Sequence, residues 1–243
     1  MKIFRLENLT STNDYLKTLV KTSSLEDFTV VLTNHQSNGK GQRGSKWISE
    51  AGKNLTFSVY KVHHQLPVQD HFMMNIVVSL AVFKVLSDLK TPNLKVKWPN
   101  DIMSGNKKIG GILIENSVQS SLLKHSIIGI GLNVNQTDFK ELPNASSLNK
   151  LTGLTFDLDK LLQSILREIK NYYNYIETQQ PDELKHQYLK HLYRVNEVST
   201  FQSKEGTYFS GMIKNINDYG LLVVELEDDK VKTFDIKEIK LMN

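Results

Sequence analysis

Residues able to handle anions and protons crowd into one stretch, from Lys95 to Glu115. Lys95, Lys97, Lys107 and Lys108 supply ammonium groups. Asn100 and Asp101 set an amide beside a carboxylate, and a carboxylate so placed can accept or steer the proton of an amine. The same stretch says what must hold these groups. Leu94, Val96 and Trp98 alternate with Lys95 and Lys97, the period of a strand. Pro99 has no N–H for a sheet ladder, so the strand is expected to end there, with Asn100 and Asp101 in the turn. Gly105-Asn106 is a two-residue hairpin signal. The return strand carries Lys108 and runs into Ile109–Ile114, an apolar run short enough for a buried strand. Gly110-Gly111 inside it lets another group approach the backbone. A hairpin with merely solvated lysines fits the same spacing; Asp101 then only caps the turn or pairs with Lys97 or Lys108.

A second concentration lies between Asn34 and Trp47. Gly39-x-Gly41-x-x-Gly44 matches the dinucleotide fingerprint, and it follows a strand expected over Phe28–Thr33. No amphipathic helix starts after Trp47, however, and no Asp or Glu stands between Glu50 and Asp70, where the ribose-binding acid belongs. A P-loop fails too, because Ser45 occupies the place of its lysine. What remains is a glycine-rich loop with Lys40, Arg43 and Lys46, able to wrap an anion with backbone N–H groups and cations together. Upstream, Ser11-Thr12-Asn13-Asp14 precedes Tyr15, Leu16, Leu19 and Val20, a helix pattern. Ser11 or Thr12 is either its N-cap or a hydroxyl offered to a neutral polar ligand.

The elements that must carry these residues follow from periodicity. Strands are expected at Ile3–Leu6, Asn54–Val62 (Leu55, Phe57 and Val59 alternating) and Ser126–Gly131. Asp70 is expected to cap a helix over Phe72–Leu89 that is apolar on nearly every face and therefore buried. From Asp157, apolar residues at 158, 161, 162, 165, 166, 169, 172 and 176 mark an amphipathic helix. Pro181-Asp182-Glu183 opens a last helix through Leu192. After Tyr193 come short strands at Val195–Phe201, Thr207–Ile216, Gly220–Glu227 and Lys230–Ile236, the texture of a small barrel. The expected division is 1–191 and 192–243.

With 243 residues, 40% hydrophobic and 23% charged, the chain can bury a real core. No apolar run reaches the roughly 18 residues of a membrane span. Met1–Glu7 brings an acid before any apolar core forms, so no signal peptide is expected. The absence of cysteine excludes disulfides, thiolate metal sites and a Cys nucleophile, and suits a cytoplasmic location. A net charge of +4 fits an anionic small substrate or an acidic partner as well as nucleic acid.

Lys97-Trp98-Pro99-Asn100-Asp101, followed by Lys108-Ile109-Gly110-Gly111-Ile112-Leu113-Ile114-Glu115, resembles the paired signature of biotin–protein ligases. Ser11-Thr12-Asn13, Gln36, the loop Gly39-Lys40-Gly41-Gln42-Arg43-Gly44-Ser45-Lys46-Trp47 and Gly129-Ile130-Gly131-Leu132-Asn133 resemble further motifs of that family, in the same order. The resemblance implies an α+β fold: a mixed β-sheet with packed helices on one side, related to class II aminoacyl-tRNA synthetases, plus a small C-terminal SH3-like β-barrel. It implies activation of biotin by ATP, with Mg²⁺ on the triphosphate, to biotinyl-5′-AMP. Transfer to a lysine of a biotin carboxyl carrier protein, from a biotin-dependent carboxylase, follows. In that reading Ser11, Thr12, Asn13, Gln36, Lys40, Gly41, Gln42, Lys108 and Gly111 bind biotin. Lys40, Arg43, Trp47, Asn100, Lys108 and Asn133 attend ATP. Lys108 and Arg43 offset developing charge, and Asp101 takes or orients the proton of the incoming amine. Pro143–Leu148 resembles a segment near the adenine pocket. Lys40 replaces the usual Arg, and Gln42 stands where many members have another, which removes bidentate phosphate contacts. The motifs begin by residue 11, so no N-terminal DNA-binding helix-turn-helix is expected, nor DNA or a membrane as partner; monomer and homodimer both stay open. Two alternatives remain at this level: a lipoate–protein ligase or acyl transferase, and a non-catalytic biotin or nucleic-acid binding module.

Overall fold

The computed structural model describes every residue except Gln179 and Asn243, with Arg43 described by its backbone only. In chain order the elements are β1 (Ile3–Leu9), α1 (Thr12–Thr22), β2 (Thr29–Gln36), β3 (Gly39–Lys40), β4 (Lys46–Trp47), β5 (Leu55–Pro67), α2 (Met73–Asp88), β6 (Leu94–Lys97), β7 (Asp101–Ser104), β8 (Lys107–Gln119) and β9 (Leu122–Leu132). There follow α3 (Leu148–Thr152), α4 (Leu158–Glu177), α5 (Pro181–Lys190), β10 (Val198–Ser203), β11 (Tyr208–Ile216), β12 (Leu222–Leu226), β13 (Val231–Phe234) and β14 (Ile239–Leu241). A seven-stranded sheet runs in the order β1-β2-β5-β9-β8-β7-β6. The β1–β2 pair is parallel and the remaining pairs are antiparallel, so the sheet is mixed.

Alternation along each strand divides the sheet into two faces. Leu55, Phe57 and Val59 of β5 and Ile128, Ile130 and Leu132 of β9 join α2, α4 and α5 in the main core. Residues 68–88 are long and apolar enough to cross a membrane by composition, but 61% of that window is buried inside the fold. Asp70 does not cap α2; it sits in a preceding 3-10 turn, and Phe72 holds the cap position without a side-chain bond. Val31, Tyr60 and Ile127 point the other way and pack against Leu16 of α1. Helices therefore cover both faces, not one, and this second face carries the cleft described below. The expected 157-onward helix is α4, capped by Asp157 through the N–H groups of Asp159 and Lys160.

The C-terminal strands form a five-stranded antiparallel sheet, β13-β12-β11-β10-β14. Its fifth strand, β14, carries no strong periodicity in the sequence. The expected closed barrel is not what the hydrogen bonds show: among the described residues β13 and β14 are the two edges of an open sheet. This sheet is joined to the rest by side chains from both parts. Phe201, Ile213 and Leu222 belong to the main core, Trp98 Nε1 donates to Gly220 O at 2.9 Å, and Lys185 pairs with Asp218 at 2.7 Å.

A buried polar cluster pins β5 to β9 and α4. Ser126 Oγ donates to Asn116 Oδ1 at 2.6 Å, so its lone pairs are what His63 Nε2, 2.7 Å away, can meet. His63 is then the Nε2–H tautomer, and its Nδ1 accepts from the Tyr173 hydroxyl at 2.8 Å. Burial first, and the neighbouring Lys61 ammonium second, lower the His63 pKa to about 4. An unfolded histidine titrates near 6.5. Between those values the unfolded chain binds more protons, so stability falls as pH drops from about 6.5 and the loss is complete near 4. The expected contribution is about 3 kcal/mol. Urea unfolding at pH 7 and pH 4.5 measures it, and a His63→Asn variant should show a correspondingly smaller pH dependence.

Candidate active site

On the α1 face, three central strands lack bulk where they meet. Thr56 and Ser58 of β5 lie opposite Gly131 and Gly129 of β9, and Gly131 and Gly129 lie opposite Gly111 and Leu113 of β8. The facing pair Gly131 and Gly111, with Gly129 two residues away on β9, leaves a trough on this face. A Cβ on Gly129 would stand 2.4 Å from Asn13 Oδ1, and one on Gly131 would stand 2.3 Å from the Trp47 ring. The resulting cleft, about 460 Å³ of unfilled space, is lined by Ser11, Thr12, Asn13, Gln36, Lys40, Gly41, Gln42, Trp47, Asn100, Lys108 and Gly111 among the residues expected from sequence. Thr56, Leu113, Gly129 and Gly131 also line it. Thr56, Gly129 and Gly131 are small or polar residues at alternate positions of strands whose other face is aliphatic, a pattern that acquires meaning only once the strands are paired.

One end of the trough is neutral and polar. Ser11 caps α1, its Oγ accepting from Asp14 N at 3.4 Å, so the capping alternative holds; Ser11 also lines the cleft. Gln36 Oε1 accepts from Thr12 N at 2.8 Å and from Thr12 Oγ1 at 3.1 Å. Ser58 Oγ lies 2.7 Å from Thr12 Oγ1 and 2.6 Å from Asn13 Oδ1. A hydroxyl has one proton, so this buried Ser58 donates to only one of them. Asn13 Nδ2 donates to Glu115 Oε2 at 2.8 Å, and Glu115 pairs with Lys17 at 2.5 Å.

The other end is cationic, and a backbone irregularity puts it there. Strict alternation would send Lys108 to the same face as Gly110, into the core. The β7–β8 register shifts between Ile102 and Met103: Ile102 lies opposite Gly110 while Met103 lies opposite Lys108. The extra residue, Ile109, is absorbed as a bulge and fully buried, and Lys108 swings to the cleft face. A Cβ on Gly111 would stand 3.3 Å from Lys108 Nζ. Asp101, opposite Gly111, meets that ammonium at 2.6 Å. Asp101 is thus the first residue of β7 rather than a turn residue, and the pairing with Lys108 is formed. Asn100 is buried and clamps β8: its Nδ2 donates to Ile112 O at 2.6 Å and its carbonyl accepts from Ile112 N at 3.0 Å. The 143–148 segment straps the Lys108 backbone, with Lys108 N donating to Asn144 O at 2.8 Å and Ser146 N to Lys108 O at 3.0 Å.

The glycine-rich loop closes the trough as a two-stranded hairpin, Gly39 opposite Trp47 and Lys40 opposite Lys46, with a 3-10 turn between. No helix follows it, in line with rejection of the dinucleotide reading. Lys40 Nζ meets Asp14 Oδ2 at 2.6 Å, and that hydrogen bond holds the ammonium pKa above the usual lysine value. Trp47 lies over Gly131 and Gly111, its Nε1 buried without a partner. Arg43 falls in the turn, and its side chain lies outside the described residues. Asn133 is not brought to the cleft. It follows the end of β9, buried, with Nδ2 donating to Ser146 O at 3.0 Å, which ties it to the 143–148 segment instead.

The biotin/lipoate A/B protein ligase family model matches residues 6–133. The bifunctional ligase/repressor BirA of Bacillus subtilis is 28% identical over 215 residues, covering 86% of this chain and 66% of that protein. The biotin–[acetyl-CoA-carboxylase] ligase of Mycobacterium tuberculosis is 29% identical over 163 residues, covering 66% of this chain and 59% of that protein. The chain therefore spans about two thirds or less of the length of these curated relatives. The biotin protein ligase of Aquifex aeolicus, solved in complex with biotin and ATP, superposes with a TM-score of 0.82 at 24% identity, covering 99% of this chain and 98% of that one. At that identity the likeness speaks for the fold.

Gly131→Ala tests the trough directly. The added methyl meets the indole face, so Trp47 must shift or the strands must part. The expected cost is about 1–3 kcal/mol of stability, with a changed tryptophan emission. Denaturant midpoints and fluorescence together check it; an unchanged spectrum and midpoint would show that Trp47 does not lie where the structure has it.

Proposed function

The chain belongs to the biotin/lipoate A/B protein ligase family, and on that premise we propose that it is an ATP-dependent biotin–protein ligase. The observation that carries the reading is the polarity of the trough: neutral hydrogen-bonding groups at one end, glycines in the middle, an ammonium at the other. Biotin has the matching order of a neutral ureido ring, an apolar tail and a carboxylate. Thr12, Asn13, Gln36 and Ser58 suit the ring, which both donates and accepts. The ring of lipoate has no N–H to offer them. Trp47 and the glycines suit the tail, and Lys108 the carboxylate.

The first half-reaction brings two anions together. A carboxylate oxygen of biotin attacks the α-phosphorus of ATP, a new P–O bond forms, and the bond to the β-phosphate oxygen breaks to release pyrophosphate. Lys108 stands where the new bond forms and offsets the developing charge. Lys40 and Arg43 are proposed as loop cations, Gln42 and Gly41 as backbone cover, and Asn100 and Asn133 as supports of the nucleotide side. In the second half-reaction the neutral amine of a carrier lysine attacks the acyl carbon, AMP leaves, and the amine gives up a proton. The acceptor proposed is a biotin carboxyl carrier protein. Mg²⁺ is proposed to arrive on the triphosphate. Among the described residues no three of His, Cys, Asp and Glu gather to hold a metal; Mg²⁺ ordinarily needs only one or two carboxylates beside the substrate phosphates and its own waters. The division at 191/192, an SH3-like relationship of the C-terminal sheet and a cytoplasmic setting belong to the same proposal.

Biotin-dependent exchange of labelled pyrophosphate into ATP tests the reading; exchange driven by lipoate instead would overturn it. Lys108→Ala should slow adenylate formation about 10²–10³-fold, the usual worth of one donor to developing charge. Asp101→Asn separates two roles. Because Asp101 holds the Lys108 ammonium at 2.6 Å, the expected outcome is comparable loss in both half-reactions in single-turnover assays. A loss of about 10²–10⁴ confined to transfer would instead make Asp101 the base for the incoming amine.

A further inference from the structure

Two side-chain amides, Asn13 and Gln36, line the neutral end of the trough. Each has its orientation set from behind by a partner that can play only one part. Gln36 turns Oε1 to the backbone N–H of Thr12 at 2.8 Å. That N–H can only donate, so Gln36 Nε2 is left facing Gly39 and the cleft. Asn13 is buried and turns Nδ2 to Glu115 Oε2 at 2.8 Å, with Leu113 O 3.4 Å away. A carboxylate only accepts. A flipped Asn13 would set Oδ1 against Oε2, two acceptors with no proton between them. Asn13 Oδ1 is therefore fixed toward Ser58 and Gly129. Ser58 does not fix it alone, because a hydroxyl can donate or accept. Glu115 stands behind Asn13, two residues beyond the cleft-lining Leu113 on the same face of β8. One face of α1 grips both its oxygens: Asn13 holds Oε2, and the Lys17 ammonium, one helical turn on, holds Oε1 at 2.5 Å.

We infer that Glu115 is a positioning residue that sets the hydrogen-bond polarity of the ring site. It holds Asn13 as an acceptor, while Thr12 N holds Gln36 as a donor, and the pair selects a ring with an N–H beside a carbonyl. The inference deepens the ligase reading above and rests on it. A cyclic urea meets both groups. A cyclic carbamate, with a ring oxygen in place of one N–H, sets a lone pair against Asn13 Oδ1 and leaves that buried acceptor unpaired. Were Asn13 free to flip, Nδ2 would donate to that ring oxygen, Ser58 would accept instead of donate, and the distinction would fade. Rejection of the wrong ring thus depends on a carboxylate that does not touch the ring. Glu115→Gln removes the constraint at nearly constant shape, because a glutamine amide can accept from Asn13 Nδ2 or, turned round, donate to Oδ1.

In calorimetric titration of the full chain, Glu115→Gln should raise the Kd for biotin roughly three- to tenfold, the worth of one such contact. The KM for ATP in pyrophosphate exchange should not move. Discrimination is the sharper readout. Of the two cyclic carbamate analogues of biotin, the one lacking the N–H that meets Asn13 should bind the unsubstituted chain more weakly. Its disadvantage against biotin should shrink by a similar factor in Glu115→Gln. Lys17→Gln removes the Lys17 ion pairs and keeps the Glu115–Asn13 bond, so its affinities should match those of the unsubstituted chain. An unmoved biotin Kd, equal weakening of biotin and both carbamates, or the same losses in Lys17→Gln would overturn the inference. Failure of the unsubstituted chain to bind biotin is a failure of the ligase reading, and the side-chain amide signals of the free chain then decide Glu115 by NMR. The Asn13 Nδ2 proton that meets the carboxylate should lie downfield and move on Glu115→Gln. A moved signal supports the hold of Glu115 on Asn13, and an unmoved one removes it.

Discussion

The site depends on one extra residue in one strand. The β7–β8 register admits Ile109 as a bulge, and that single insertion reverses the direction of Lys108 relative to the alternation of β8. Without it the ammonium would enter the aliphatic core, where an unpaired charge costs several kcal/mol. With it, Lys108 stands over Gly111 and against Asp101, and the burial of Ile109 offsets the break in the ladder. Several other features serve this placement: the Asn100 clamp on Ile112, and the 143–148 strap on the Lys108 backbone.

The trough follows from a complementary device, the removal of side chains. Gly111 and Gly131 face each other across β8 and β9, with Gly129 two residues away on β9, while their neighbours on the opposite face are Ile112, Ile130 and Leu132, all buried. The sheet is thus anchored on one face and emptied on the other by the same strands. Helix α1 and the Gly39–Trp47 hairpin close the emptied face. Their charged contacts, Lys40–Asp14 and Lys17–Glu115, are partly exposed, so they orient the cover at little gain in stability.

The C-terminal sheet is more than an appendage in this arrangement. Trp98, inside the same short segment as Asn100 and Asp101, donates to Gly220 across the junction. The segment that carries Asn100 and Asp101 therefore also docks the second sheet.

The sequence by itself determined much of the chemistry. The hairpin lysines, the glycine-rich loop, the hydroxyls at the start of α1 and most of the strands and helices that carry them were legible because periodicity and turn residues are local signals, while Asn13 and Gln36 entered only through the family resemblance. Tertiary structure decided the rest. That α1 lies on the face opposite α2, α4 and α5 depends on which strand face each helix meets. The bulge at Ile109 is a property of a pair of strands, so no single-strand pattern announces it, and Asp101 reads as a turn residue until β7 is paired. Thr56, Ser58, Gly129 and Gly131 are ordinary in isolation and become a trough only when β5, β9 and β8 align in register. The motif singles out Asn133, but that its side chain turns to Ser146 of the 143–148 segment follows only once β9 has ended. The edge strand β14, with Lys240, is too short to carry a period, and it took shape from its pairing with β10. In each case the deciding contact joins residues far apart in the chain, which is the information a local pattern does not hold.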